Sequence, residues 1–197
     1  MFSSFFKSFY YIIIVILITV IFITCFFVPS FSDMEILEKI ERGEIVISQS
    51  GFAWPIPGYN TITSYFGKRT SPTQGASSYH KGVDIGAPEG TILIAATDGE
   101  ITYTGFLGGG GYTITLSSDN MKITYCHVSP NFLVEVGQIV ERGQVIGMVG
   151  PKYVYGVKGN TYTDENGKPT NGATTGTHLH LGIRIDEEYV NPLNYYE

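Results

Sequence analysis

The sequence predicts an all-β, mostly antiparallel domain preceded by one N-terminal transmembrane helix. Three observations carry this. From Phe52 onward, short apolar runs alternate with Gly and Pro, and no long helical pattern interrupts them. Of 197 residues, 24 are Gly, 14 Tyr and 12 Phe, and only 15% are charged, which suits strands and turns better than a helical bundle. Finally, Phe9 to Val28 is an uncharged run dominated by Ile, Val and Phe. Its roughly 20 residues, at about 1.5 Å each as a helix, would span about 30 Å, the hydrocarbon thickness of a bilayer.

A chain of this length holds one domain plus an appendage. The expected division is a short tail (1–8), a membrane anchor (9–30), a juxtamembrane helix and linker (31–52) and a folded domain (53–197). The apolar run is too long, and too apolar on all sides, for a buried core helix. A cleaved leader is the competing reading, since Lys7 precedes the run and Pro29-Ser30-Phe31-Ser32 follows it. The run exceeds the length of a signal region and no Ala-x-Ala site follows, so an uncleaved anchor is preferred. Lys39 and Arg42 flank it on the far side, so charge alone does not orient it.

Ser32-Asp33-Met34-Glu35 matches a capping box, Met34, Leu37 and Ile40 recur at helical spacing, and Gly43 closes that short helix. Trp54-Pro55-Ile56-Pro57-Gly58 reads as an entry segment laid across a domain edge. Strands are predicted at Thr61–Phe66, Thr91–Ala95, Gly99–Thr104, Tyr112–Leu116, Lys122–His127, Val145–Val149 and His178–Ile185. Gly108–Gly111, between two strands, reads as a flexible hairpin turn, because no helix follows to make it a phosphate cradle. The echo of Val136-Gly137-Gln138-Ile139-Val140 in Arg142-Gly143-Gln144-Val145 reads as repeated turn structure rather than a binding motif. The polar stretch from Lys152 to Thr177 is long for a compact domain. A groove wall, favoured by Tyr153, Tyr155 and Tyr162, and a disordered insertion both fit it.

A net charge of −6 without any basic cluster gives no reason to expect a nucleic-acid partner. Of two cysteines, Cys25 lies in the apolar run, which makes a disulfide staple a poor reading. Cys126 adjoins His127, but neighbours on a strand point to opposite faces, so Cys126 is read as a small core residue and not a nucleophile.

The histidines carry the chemistry. The chain has four: His80, His127, His178 and His180. His80 and Asp84, four apart on an extended segment, share a face, as do His178 and His180, two apart. Any single histidine is most simply a hydrogen-bonded or surface residue. All four, with a carboxylate beside one and a His-x-His, point instead to a hydrolytic metal site with three protein ligands and an open position. Spacing does not say which of His178 and His180 touches the metal, or whether His127 joins them.

The order of motifs resembles the lysostaphin-type (LytM-like) zinc endopeptidases. His80-x-x-x-Asp84 leads into Gly86-Ala87-Pro88-x-Gly90-Thr91, followed by Tyr125-x-His127 and then Gly176-Thr177-His178-Leu179-His180. Ala95-x-x-Asp98-Gly99 and Val136-Gly137-Gln138-x-Val140-x-x-Gly143-Gln144 also match, so the likeness runs from about Ile62 to Tyr195. Two departures stand out: Leu181-Gly182-Ile183-Arg184 replaces an aromatic and an acid, and the 152–177 loop is longer than usual. The resemblance implies an antiparallel β-sheet groove, or barrel-like sandwich, of the duplicated hybrid motif type. It further implies that His80, Asp84 and His180 bind Zn2+ and that His178 and His127 are the catalytic pair. The substrate implied is a peptide bond of bacterial peptidoglycan, in a stem peptide or cross-bridge. The domain would then lie on the cell-wall side of a bacterial membrane, single-pass, or be secreted if the leader is cleaved. An envelope protein is the one protein partner this setting suggests.

Three rivals are weaker. A catalytically silent scaffold or activator of the same fold generally lacks ligands, and here all five site residues are present. A sugar-phosphotransferase IIA module shares His-x-Gly-[Ile/Val]-Asp, but the anchor and the Gly-Thr-His-Leu-His strand fit it badly. A lipoyl or biotinyl carrier needs a lysine displayed at a hairpin tip, and none is evident.

Overall fold

The computed structural model describes Val46 and residues 48–196. The predicted anchor over 9–30 and the helix between Ser32 and Gly43 lie outside the described residues. Among the described residues, no helix is long and apolar enough to cross a membrane.

Twelve short strands make up the domain: β1 (Ile62–Ser64), β2 (Gly67–Lys68), β3 (Tyr79–His80), β4 (Val83–Gly86), β5 (Ile92–Ile94), β6 (Gly99–Phe106), β7 (Tyr112–Ser118), β8 (Met121–Cys126), β9 (Ile139–Val140), β10 (Val145–Met148), β11 (His178–Ile185) and β12 (Glu188–Val190). The main sheet runs β1-β4-β11-β8-β7-β6-β9, with β12 pairing onto β11, and its neighbouring strands pair antiparallel. Two further ribbons, β5–β10 and β2–β3, stand apart from it.

Period-two alternation decides the two faces of the main sheet. Val83, Ile85, Ile114, Leu116, Ile123, Tyr125, Leu179, Leu181 and Ile183 form one face, all 1% exposed or less, and join a core with Leu93 and Ala95 from the β5 segment and Ile146 from β10. Asp84, Thr124, Cys126, His178, His180 and Gly182, the alternate residues of three of those strands, line the opposite, open face. The ribbon β5–β10 therefore closes the core on one side while the other side is left as a groove. The entry segment does sit on an edge: Ile94 N–H donates to Pro55 O (2.9 Å) and Ala53 N–H to Ala96 O (2.8 Å). Phe52 packs tilted against Tyr195 and Trp54 edge-to-face against Tyr196, with ring centroids 5.1 and 4.9 Å apart.

The Gly-Gln echo is two copies of one turn. Gly137 (φ 91°) and Gly143 (φ 86°) take positive φ, as a type II turn requires. Gln138 and Gln144 return their backbone N–H groups to the carbonyls of Glu135 and Glu141, and their side-chain Oε1 atoms accept from the N–H groups of the same two residues. Both turns then feed the core, Gln138 O accepting from Ile101 N–H and Gln144 O from Ala95 N–H.

The four-glycine stretch departs from the flexible hairpin expected of it. Gly108–Gly110 forms a 3-10 turn. Gly109 O accepts from Ala173 N–H, and Gly110 O accepts from His127 N–H, both at 2.8 Å. A Cβ on Gly111 (φ +64°) would lie 2.3 Å from both Asn171 O and Asn171 Oδ1. Glycine is needed here for close approach between segments. Gly111→Ala is therefore expected to lower stability by about 1–3 kcal/mol for the backbone conformation alone, plus the clash. Gly137→Ala has open space around it and should show only the first part. Thermal unfolding of the two variants checks this, and equal losses would mean that the approach of Asn171 is unimportant.

Candidate metal and catalytic groove

The groove is built on one row of residues crossing the sheet. Ser64 on β1 pairs with Asp84 on β4, Asp84 with His180 on β11, His180 with Cys126 on β8, and Cys126 with Thr113 on β7. Register alone thus sets Asp84 beside His180, although 96 positions separate them in the chain. His80 arrives from the separate ribbon, where it pairs with Gly67. Gly82, between His80 and Asp84, makes room for the meeting: a Cβ there would lie 2.3 Å from Leu181 O and 2.8 Å from His180 Nε2.

Asp84 Oδ1 is the convergence point. It lies 2.8 Å from His180 Nδ1, 3.1 Å from His80 Nε2 and 3.6 Å from His178 Nε2. His80 Nε2 and His180 Nδ1 are themselves 2.8 Å apart. Burial would raise the Asp84 carboxyl, but hydrogen bonding with His180 and His80, and the electrostatic influence of the His180 and His178 rings, hold it well below the usual carboxylate range. It is an anion throughout the physiological range. The ligand atoms of His80, Asp84 and His180 all lie within 4.8 Å of one another.

The tautomers follow from fixed acceptors. His80 Nδ1–H donates to Tyr65 O (2.9 Å), His127 Nδ1–H to Asn171 O (2.7 Å) and His178 Nδ1–H to Gly176 O (3.0 Å). In a neutral imidazole so bonded, Nε2 is a lone pair. His80 Nε2, His180 Nδ1 and a carboxylate oxygen converging this closely require a proton or a cation between them. Two imidazoles and one carboxylate are a donor set suited to zinc, with the carbonyl behind His80 supplying the usual support for a ligating ring. The residues present fit that ion.

His127 and His178 stand together on the other side, ring centroids 4.7 Å apart. His127 is 7% exposed, and its pKa is pushed from 6.5 down to about 3, first by burial and then by the neighbouring His178 and His180 rings. His178 is also lowered, chiefly by burial, with Asp84 opposing. His127 N–H and C=O are bonded to Gly110 and Gly150, and its φ of 60° lies in the left-handed region. That turn overrides strand alternation. Cys126 and His127, expected on opposite faces, both line the groove. Cys126 is nonetheless buried, and burial pushes its thiol up to about 12, so it is no nucleophile.

All five residues singled out in the sequence line one cavity of about 590 Å³. The 152–177 stretch is an ordered wall, with bridges Tyr153↔Thr170 and Thr163↔Pro169 and with Thr170, Asn171 and Thr174 buried. Its groove lining comes from Ala173 and Thr175, not from its tyrosines. Tyr162 packs against Gly75 and Gly109, whereas Tyr155 is 69% exposed. Sequence reasoning missed Arg69, whose Nη1 lies 3.2 Å from Asp84 Oδ2, and Asn171, whose side chain holds Tyr112 N–H (2.7 Å) and Val128 O (3.0 Å). No motif spacing marked either.

An all-β groove with a partly buried His-Asp-His cluster and a second histidine pair has the residue set a metal-dependent hydrolase would use. The chain belongs to peptidase family M23, whose model matches residues 78–192. It is 32% identical over 155 residues to the DD-carboxypeptidase/endopeptidase Mpg of Neisseria meningitidis, covering 78% of this chain and 31% of that protein. It also resembles a zinc-containing peptidase from Vibrio cholerae (TM-score 0.54, 25% identity, 73% of this chain and 44% of the other). The catalytic domain of lysostaphin from Staphylococcus simulans matches similarly (TM-score 0.54, 25% identity, 68% and 90%). The chain spans about a third of the length of the curated relative.

Because the pKa of His127 and that of His178 are both depressed in the fold, the unfolded chain binds more protons than the folded one as pH falls below 6.5. Stability of the metal-free protein is then fully present above about pH 6.5 and is lost as pH falls, by up to about 1.4 kcal/mol per pH unit for each such ring. Asp84, also depressed, adds to the loss only below its ordinary value of 3.8. Urea midpoints of chelator-treated protein at pH 7 and pH 5 check this. An unchanged midpoint would mean that the rings are charged in the fold.

Proposed function

We propose that this chain is a membrane-anchored zinc endopeptidase that hydrolyses peptide bonds of bacterial peptidoglycan, in a stem peptide or cross-bridge. The observation that carries the reading is the convergence of four histidines and one aspartate in a single groove of an M23 domain. The anchor over 9–30 would hold the domain on the cell-wall side of the membrane, where such a substrate lies.

His80, Asp84 and His180 would hold the ion. Bound there, zinc supplies Lewis acidity toward a carbonyl oxygen and acidifies water to a pKa of about 7. His178 Nε2, a lone pair facing the cluster, is placed to accept a proton as general base, and the resulting imidazolium can return it to the leaving amine. Gly176 O keeps that ring oriented by holding Nδ1–H. His127 Nε2 is also an acceptor at rest, so donating a hydrogen bond to a developing oxyanion requires a second proton on the ring. Negative charge growing beside Nε2 favours that proton, opposing the burial that disfavours it.

His180→Ala in the full chain should abolish stoichiometric zinc binding, and with it release of peptides from purified cell walls. His178→Ala should retain one zinc and lose turnover by about 10²–10⁴-fold, the usual size of a general-base contribution. Full activity in His178→Ala would sink its assignment as base. A protein that binds zinc but releases nothing from any cell wall would instead be a silent activator of the same fold.

A further inference from the structure

We infer that Arg69 is a positioning residue that sets how Asp84 presents itself to a metal ion and ties one groove wall to that carboxylate. This rests on the zinc reading of the cluster above. The two oxygens of Asp84 have different neighbours. Oδ1 faces three imidazole nitrogens, whereas Oδ2 faces Arg69 Nη1 at 3.2 Å, a contact with side chains only 20% and 13% exposed. The same Nη1 donates to Ser64 Oγ at 2.5 Å, and Ser64 Oγ lies 3.3 Å from His80 Nδ1. One guanidinium therefore stands behind two members of the His-Asp-His cluster, directly for Asp84 and through Ser64 for His80.

A carboxylate with both oxygens free can swing between one-oxygen and two-oxygen coordination. Charge-assisted pairing of Oδ2 to a planar, permanently charged guanidinium disfavours the second mode and leaves Oδ1 as the only oxygen presented. An extra ligand atom would occupy the open position that hydrolysis needs. Arg69 has a further tie. Its backbone N–H donates to Ser78 O (2.9 Å) and its Nε to Ser77 O (3.5 Å), so it closes the segment from Thr70 to Ser77 upon itself. Thr70, Pro72, Gly75, Ala76 and Ser77 of that segment line the groove. Displacement of this wall and rotation of Asp84 are thus coupled through a single side chain. Arg69 touches no reacting atom in this account.

The test uses the full chain in detergent, with zinc affinity measured by chelator competition and coordination read from the visible spectrum of the cobalt-substituted protein. Outer-sphere partners of metal ligands typically change metal affinity 10–100-fold. Arg69→Met should weaken zinc binding by that factor and shift the cobalt bands toward higher coordination number. Arg69→Lys, which keeps the charge without the planar fork, should recover part of the affinity. Matching circular dichroism of the metal-free proteins separates this from misfolding, and Ser64→Ala provides a milder probe of the same support. Wild-type affinity and an unchanged cobalt spectrum in Arg69→Met overturn the inference. Lost peptide release with both metal readouts unchanged overturns it too, since Arg69 would then act on substrate. If the unmodified chain binds no zinc, the metal reading fails instead.

Discussion

Asp84 Oδ1 is the constraint on which the groove depends. A buried carboxylate is tolerable only where several donors or cations repay its lost hydration. Here the sheet supplies them by register: β11 brings His180 alongside, β1 brings Ser64 to the other flank, and the β2–β3 ribbon adds His80 from outside the sheet. The core face makes this placement rigid. Val83 and Ile85 flank Asp84 and are fully buried, as are Leu179 and Leu181 around His180. A one-residue slip of β4 against β11 would put the carboxylate into hydrocarbon and two aliphatic side chains into the groove. The apolar pattern and the polar site therefore enforce the same register.

The second support lies in the 152–177 segment. Asn171 is fully buried, and its side chain holds the start of β7 and the residue after His127, while its carbonyl takes the His127 Nδ1–H. Its backbone N–H is anchored at Lys152 O. Gly111 and Gly172 let the two segments approach: a Cβ on Gly172 would lie 2.3 Å from Gly111 N. A stretch that reads as a polar insertion is thus the element that aims one catalytic candidate. Tyr153 serves the segment itself, donating to Asp164 Oδ2 at 2.9 Å, and Tyr162 ties it to the chain around Gly75 and Gly109.

Much of this was legible from sequence where local periodicity had authority. His178–Ile185 begins and ends where the alternation does, and the strands at Tyr112, Lys122 and Val145 differ from expectation by a residue or two. The histidines and Asp84 were legible because scarce residue types recurred in short motifs, and His178 and His180 do share a strand face. His80 and Asp84 do not lie on one extended segment as expected, since the chain bends at Lys81–Gly82 and puts them on β3 and β4 of different sheets. The strands absent from the expected set, β2, β3, β4, β9 and β12, are two to four residues long. Of these, β2, β3, β9 and β12 exist through their partners rather than through any pattern of their own, and the alternation in β4 spans only four residues. Alternation failed at Cys126 and His127, because a single left-handed residue is a tertiary outcome, fixed by hydrogen bonds to Gly110 and Gly150. Arg69 and Asn171 were invisible for the same reason: each acts across a long sequence separation, on a partner no spacing rule connects to it.

The proposed assignment divides four chemically identical side chains between two roles. Backbone carbonyls set which ring nitrogen three of them present. His80, His127 and His178 each surrender Nδ1–H to a carbonyl, from Tyr65, Asn171 and Gly176 respectively, so each presents Nε2 to the groove. His180 has the opposite orientation and turns Nδ1 toward Asp84 and His80. A long-reach nitrogen on β3 and a short-reach nitrogen on β11 can then meet at one carboxylate oxygen, although their strands belong to different sheets. His178, two residues along the same strand as His180, points the same way but keeps its Nε2 at 3.6 Å from that oxygen. It lies close enough to exchange a proton at the cluster's edge and outside the tight triangle that suits an ion. What sets His178 apart from His80, whose Nδ1–H is likewise held by a carbonyl, is the distance of its Nε2 from Asp84 Oδ1, 3.6 Å against 3.1 Å.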